Sequence, residues 1–234
     1  MLVYTVDVLE RYVGQKVKDP YGRTVGTLAS IYSDFDGRVQ AVEMLFGETT
    51  FKTIDVGRIM IQSGEVLLLP EWKFAALRLI ERLERSGRRA KALEDLYAKG
   101  EIPRHAYEEF KAKVSSELEK LKTEAKEVKV VIERRIGELE DQIVQAEKAL
   151  AALKMSYIAG EIGERSYKPA ADILRQGRDR NIEEKNDAKR ILEVIRRLES
   201  GEIEREVQQP AKVERQAEPQ IVVELVQEGA VSEA

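Results

Sequence analysis

The sequence predicts an α+β chain in three zones: a small N-terminal antiparallel β-barrel, a set of long antiparallel coiled-coil helices, and a disordered C-terminal tail. Three observations predict it. Residues 1–70 alternate short β-branched runs with turn pairs. Residues 71–200 contain only two prolines, Pro103 and Pro169, and repeat apolar residues at steps of four and three. Residues 201–234 contain two prolines, many charges and no aromatic.

The bulk composition agrees. Charged residues make up 35% of the 234 and aromatics 6%, too wet a balance for one large globule and well suited to long helices with solvated faces. Charge is divided unevenly. Residues 1–70 hold 7 basic and 9 acidic groups, residues 71–200 hold 29 and 26, and residues 201–234 hold 3 and 8. A basic middle and an acidic end imply separate tasks.

In the first zone the turns are Asp19-Pro20-Tyr21-Gly22, Asp36-Gly37 and Ser63-Gly64. Between them lie strand-forming runs at 24–33, 38–46, 51–56, 58–62 and 65–69. Asp-Gly selects a tight hairpin because both central positions need positive φ. Five or six short strands at this spacing predict a small antiparallel barrel. A core of about 70 residues is near the lower limit of self-sufficiency, so this domain should lean on its own rod or on a second copy. Trp72, at the junction, is expected to be a packing anchor that closes the open end of the barrel.

The second zone opens with a heptad seam through Trp72, Ala76, Leu79, Leu83, Ser86, Ala90, Leu93 and Tyr97. A second seam follows Gly100-Glu101-Ile102-Pro103. It passes through Tyr107, Phe110, Val114, Leu118, Leu121, Ala125, Val128, Ile132, Ile136, Leu139, Ile143, Ala146, Leu150, Leu153 and Tyr157, with stutters near Val114 and Ile132. Such a helix is ~80 Å long at 1.5 Å per residue, and its apolar stripe must be covered. A third stretch, about 164–200, is marked at its ends by Tyr167, Ala171, Leu174, Ala188, Leu192, Ile195 and Leu198. Its middle, 175–185, is polar except for Ile182, and is expected to be loosely packed or to face a charged partner.

The two corners are duplicates. Leu93, Tyr97, Gly100, Glu101, Ile102 and Tyr107 recur sixty residues later as Leu153, Tyr157, Gly160, Glu161, Ile162 and Tyr167. The glycines suit a left-handed helix cap, and the paired tyrosines are placed to pack across each corner. Short corners make neighbouring helices antiparallel, so the outer helices fold back on the long one. Leu79, Leu83, Leu93, Leu118, Leu121, Val128, Ile132, Leu139, Ile143 and Leu150 are the candidate coiled-coil assembly positions. A single covering helix leaves part of the long stripe wet, which predicts a homodimer.

In the third zone, residues 201–220 read as a flexible linker. Then come Ile221, Val222, Val223, Glu224, Leu225 and Val226, five of six apolar and four β-branched. A strand former that cannot bury itself is suited to adding a strand to the open sheet edge of a partner, and 221–234 is the candidate partner-binding peptide. The competing reading is a strand that packs back on its own barrel.

Several chemistries are excluded or demoted. With no cysteine and one histidine, His105, the chain has no disulfide and no Cys/His metal site, and no cofactor is expected. Gly22-Arg23-Thr24-Val25-Gly26 lacks the spacing of a phosphate loop. The acidic pairs Glu108-Glu109 and Glu183-Glu184 are expected in exposed helix, and His105 at the surface; with no nucleophile–base pair, an enzyme is the least expected class. The basic run Arg78, Arg82, Arg85, Arg88, Arg89 and Lys91 reads first as a solvated, salt-bridged face. Its alternative is an anion site for lipid heads or nucleic acid, centred on Arg82, Arg85, Arg88 and Arg89. No signal peptide and no apolar run of ~20 residues is present, so the chain is expected in the cytoplasm with at most peripheral membrane contact.

Two resemblances add to this reading. The phrase Val13-Gly14-Gln15-Lys16-Val17-Lys18-Asp19-Pro20-Tyr21-Gly22-Arg23-Thr24-Val25-Gly26-Thr27-Leu28, with the later Asp34-Phe35-Asp36-Gly37-Arg38-Val39, resembles the hairpins of a PRC-barrel. That domain also occurs in ribosome-maturation factors and photosynthetic reaction centres, but the long coiled coil and the tail argue against an adaptor role in ribosome maturation. The order barrel, coiled coil, linker and β-peptide resembles, over the whole chain, the archaeal cell-division A proteins of the Cdv system. The resemblance implies a cytoplasmic scaffold that polymerises beneath the membrane at the division site. It also implies recruitment of an ESCRT-III-like division protein B, whose winged-helix-like domain would take Ile221–Val226 by strand addition. Family association with membranes and DNA is implied too, with no residue motif here to carry it.

Overall fold

The computed structural model describes residues 4–200. A short helix α1 (Val6–Leu9) and a 3₁₀ turn lead into strands β1 (Lys16–Lys18), β2 (Thr24–Ser33), β3 (Val39–Phe46), β4 (Thr50–Asp55), β5 (Ile59–Gln62) and β6 (Glu65–Leu68). Three long helices follow: α2 (Glu71–Ala98), α3 (Arg104–Ile158) and α4 (Glu164–Ser200). The linker 201–220 and the peptide 221–234 lie outside the described residues.

The strands form one sheet in the order β4-β3-β2-β1-β6-β5. This corrects the expected closed antiparallel barrel in two respects. The edge strands β4 and β5 are not bonded to each other, and the β1–β6 pairing is parallel, through Lys18 and Leu67. The cause is local. Asp55 ends β4 by accepting a 2.7 Å bond from the Gly57 amide, and a 3₁₀ turn, Val56–Arg58, carries the chain to the far edge. Three residues reach at most about 10 Å, so the sheet must curl strongly although its ladder stays open. Its concave side holds the first core, built on Leu9, Val17, Leu28, Val42, Met44 and Ile59. Gly26 shows how tightly β2 and β3 approach: a Cβ there would meet the Leu45 carbonyl oxygen at 2.5 Å.

Both corners between helices are built alike. Gly100 and Gly160 take φ of 71° and 77°, which favours glycine. Tyr97 stacks on Tyr107 at 4.0 Å between ring centroids, and Tyr157 on Tyr167 at 4.4 Å. Such offset pairs contribute about 0.5–1.5 kcal/mol beyond their burial.

Contacts along the rod fix its register. From α2 to α3, Arg82 reaches Glu124 and Glu117, Glu94 reaches Lys111, and Tyr97 reaches Tyr107. From α3 to α4, Lys129 pairs with Glu199 at 2.6 Å, Glu133 with Arg196 at 3.1 Å and Glu140 with Lys189 at 3.2 Å. In each case residue numbers rise on one helix as they fall on the other. The second core lies where all three helices overlap, with Leu79, Leu83, Leu121, Ile132, Ile191 and Ile195 at its centre. Beyond that section α3 extends in both directions, toward one corner with α2 and toward the other with α4.

Candidate interaction surfaces

The candidate assembly positions divide by their place on α2 and α3. Leu79, Leu83, Leu121 and Ile132 are buried in the three-helix core, and Val128 packs against it half-buried. Leu93, Leu139 and Ile143 are buried, while Leu118 and Leu150 are half-buried. These side chains are therefore used first within a single chain. Apolar positions left in solvent lie elsewhere: Phe110, Val130, Val144, Met155, Ile158 and Ile173 are each at least 45% exposed.

The β1–β2 loop joins the sheet to the rod, and Arg58, just before β5, adds a 3.0 Å ion pair to Glu71 of α2. Between β1 and β2 the buried Asp19 accepts from the Tyr21 and Arg23 amides at 3.0 and 2.9 Å, and from Arg23 Nε at 2.6 Å. That brace presents Tyr21 and Arg23 to α4. The Tyr21 hydroxyl donates to Asp187 at 2.8 Å, and Lys73 of α2 donates to the same carboxylate at 2.6 Å. Arg23 donates to Asn181 at 3.2 Å and to Glu184.

Glu184 is the centre of this clasp. It is 1% exposed, yet all its acceptors are used. Trp72 Nε1 donates to it at 3.0 Å, Arg135 donates Nε and a terminal nitrogen at 2.9 and 3.0 Å, and Arg23 completes the set. One carboxylate thus joins the β1–β2 loop, α2, α3 and α4. Burial pushes its pKa upward, but the bonds from Arg135 and Arg23 outweigh burial and hold it below the usual carboxylate value. Burial first, then the bond to Asp187, pushes the Tyr21 hydroxyl far above its usual range, so it remains a donor.

One expectation is overturned here and two are made specific. Glu184 is buried rather than exposed. The polar middle of α4 faces a charged partner, and that partner is the chain's own β1–β2 loop. Trp72 is an anchor, as expected: it packs with Tyr21, Ala76 and Leu79 in the rod core and lines a shallow cavity with Val25, Phe46 and Leu68 of the sheet. The heptad register contains a signal for Glu184. Counting back from Leu198 at steps of three and four gives Ile195, Ile191, Ala188, Glu184, Asn181, Gly177 and Leu174, which places the carboxylate on the seam.

Half of the basic run faces carboxylates. Arg82 pairs with Glu117 and Glu124, Arg85 with Glu81 at 2.7 Å and Arg88 with Glu84 at 3.6 Å, while Arg78 lies over the Phe74 ring. Arg89 is exposed. This geometry favours a salt-bridged face over an anion site. His105 is exposed. Among the described residues no cluster of three or more His, Asp or Glu is placed to hold a metal, and no helix is long and apolar enough to cross a membrane. The hexapeptide 221–226 lies outside the described residues.

Comparison with known proteins follows the same division of the chain. The family described as a CdvA-like coiled-coil domain matches residues 71–218. The chain is similar to Cell division protein A of Sulfolobus acidocaldarius, 38% identical over 199 residues, covering 85% of this chain and 83% of the relative. No solved structure matches.

Proposed function

The chain belongs to the CdvA-like coiled-coil family, and from that premise we propose that it is a structural protein of archaeal cell division that self-assembles and recruits an ESCRT-III-like partner. The rod supplies a rigid body of about 80 Å, from 55 residues of α3 at 1.5 Å each. Its core is satisfied within one chain, so self-association falls to the apolar positions left in solvent, as a homodimer and then as a filament. Recruitment falls to Ile221–Val226, which adds a strand to the partner's sheet. The observation that carries this reading is an apolar, β-branched hexapeptide held at the end of a charged, proline-containing stretch, in a chain of this family. Action at the division site beneath the membrane, through peripheral contact, belongs to the same proposal. The alternative role at nucleic acid has less support, because Arg82, Arg85 and Arg88 already face carboxylates.

The test is binding of the full chain to the winged-helix-like domain of the division partner by calorimetry. Deleting residues 221–234 should abolish binding. Val223→Asp should weaken it by about 3 kcal/mol, roughly the cost of placing an unpaired polar or charged group in an apolar strand pocket. Unchanged affinity in either variant refutes recruitment through the peptide.

A further inference from the structure

The two duplicated corners provide an internal control. Their backbones close with the same bonds: the Gly100 amide to Tyr97 and the Glu101 amide to Leu96, each 3.0 Å, against the Gly160 amide to Tyr157 at 3.1 Å and the Glu161 amide to Ser156 at 3.0 Å. Both carry a stacked tyrosine pair. Yet one outward face differs. On the last turns of α3, Ala151, Lys154, Met155, Ile158 and Ala159 line a shallow open concavity. The residues sixty positions earlier, on the last turns of α2, are Lys91, Glu94, Asp95, Ala98 and Lys99. A corner of this kind therefore forms without large apolar residues on that face. Met155 and Ile158, 68% and 74% exposed, are not needed to make the turn.

We infer that this face at the distal corner, Ala151, Met155 and Ile158, is a self-docking surface that packs against the same face of a second copy. Like matches like here. The charged face of the other corner would set Asp95, Glu94 and two lysines against methionine and isoleucine and leave those charges desolvated. A second distal corner offers an apolar match. Val144, seven residues before Ala151 and 45% exposed, extends the stripe by two turns toward the middle of α3. Contact of a patch with itself is isologous and closes on a two-fold axis. The patch is small beside the roughly 1,200 Å² of a stable interface, so the contact is weak and concentration-dependent. This deepens the self-assembly reading and is independent of the peptide.

The chain has no cysteine, which makes the test direct. On the full chain, Met155→Cys should form disulfide dimers under mild oxidation, because Met155 lies mid-face, where the two-fold axis of an isologous contact brings the two copies of one residue within about 7 Å. Asp95→Cys, at the equivalent site of the other corner, should not. In sedimentation velocity, Ile158→Asp should weaken self-association about ten-fold or more, as expected for truncating a central anchor, with helicity unchanged. Ala98→Asp should leave it unchanged. The proposal is overturned if Ile158→Asp does not alter association, or if both corners cross-link alike. It is also overturned if deleting 221–234 uncovers 151–159 to hydrogen exchange, which would assign the patch to the chain's own peptide. Affinity for the partner's winged-helix-like domain should be unchanged in the Met155 and Ile158 variants, so failure here and failure of recruitment are distinguishable.

Discussion

Glu184→Gln should destabilise the protein by about 3 kcal/mol, read as a lower denaturant midpoint at unchanged slope. The amide keeps the size of the side chain and can still accept from Trp72. It loses the charge that holds Arg135 and Arg23, which are 25% and 26% exposed. Burying a carboxylate is costly, and a buried ion pair is weak evidence for net stability. Removing one partner is different, because it leaves Arg23 with Asp19 alone and Arg135 with Glu138 alone beside an uncharged buried amide. Both arginines retain some water, which places the cost at the lower end of the range for broken buried pairs. The pH dependence has a definite sign. The folded-state pKa of Glu184 lies below its ordinary 4.5, so its contribution is complete above that value and disappears as pH falls through the lowered one. The gap between wild type and variant should therefore be constant from neutral pH to about 5 and close under stronger acid. A variant within about 0.5 kcal/mol of wild type, the range of ordinary surface changes, would show that the clasp does not hold the sheet to the rod.

Ile132→Asp should be the most damaging single change in the rod, and Val130→Asp, two residues away, nearly silent. Ile132 is 0% exposed in the three-helix core, while Val130 is 62% exposed. Truncating a buried isoleucine costs about 2–5 kcal/mol, and an unpaired buried carboxylate adds several more. The sum is comparable to the 5–15 kcal/mol of a whole domain. Ile132→Asp should therefore lose its cooperative thermal transition, whereas Val130→Asp should stay within about 0.5 kcal/mol of wild type. Equal effects would contradict the register that places Ile132 inward.

The sequence reveals local periodicity better than closure. The seam on α3 was legible because apolar residues recur every three or four positions, and Leu121, Ile132, Leu139 and Ile143 are buried as that pattern requires. The corners were legible because glycine and tyrosine recur sixty residues apart. Strands at 24–33 and 65–69 were marked by β-branched runs between turn pairs; they appear as Thr24–Ser33 and Glu65–Leu68. Whether the sheet closes depends on pairing between β4 and β5, and no local pattern records a hydrogen bond between residues on opposite edges. Glu184 was missed for a related reason. A carboxylate in a polar stretch reads as solvated unless register is given precedence over residue type, and its partners Trp72, Arg135 and Arg23 are 112, 49 and 161 positions away.

The recruiting role depends on whether residues 221–226 find shelter only in the partner. Hydrogen exchange on the full chain, alone and mixed with the partner's winged-helix-like domain, measures this directly. The account predicts amides at 222–226 that exchange at the rate of an unstructured peptide in the chain alone and become protected in the mixture. Protection already present in the chain alone, or none gained on mixing, would contradict it.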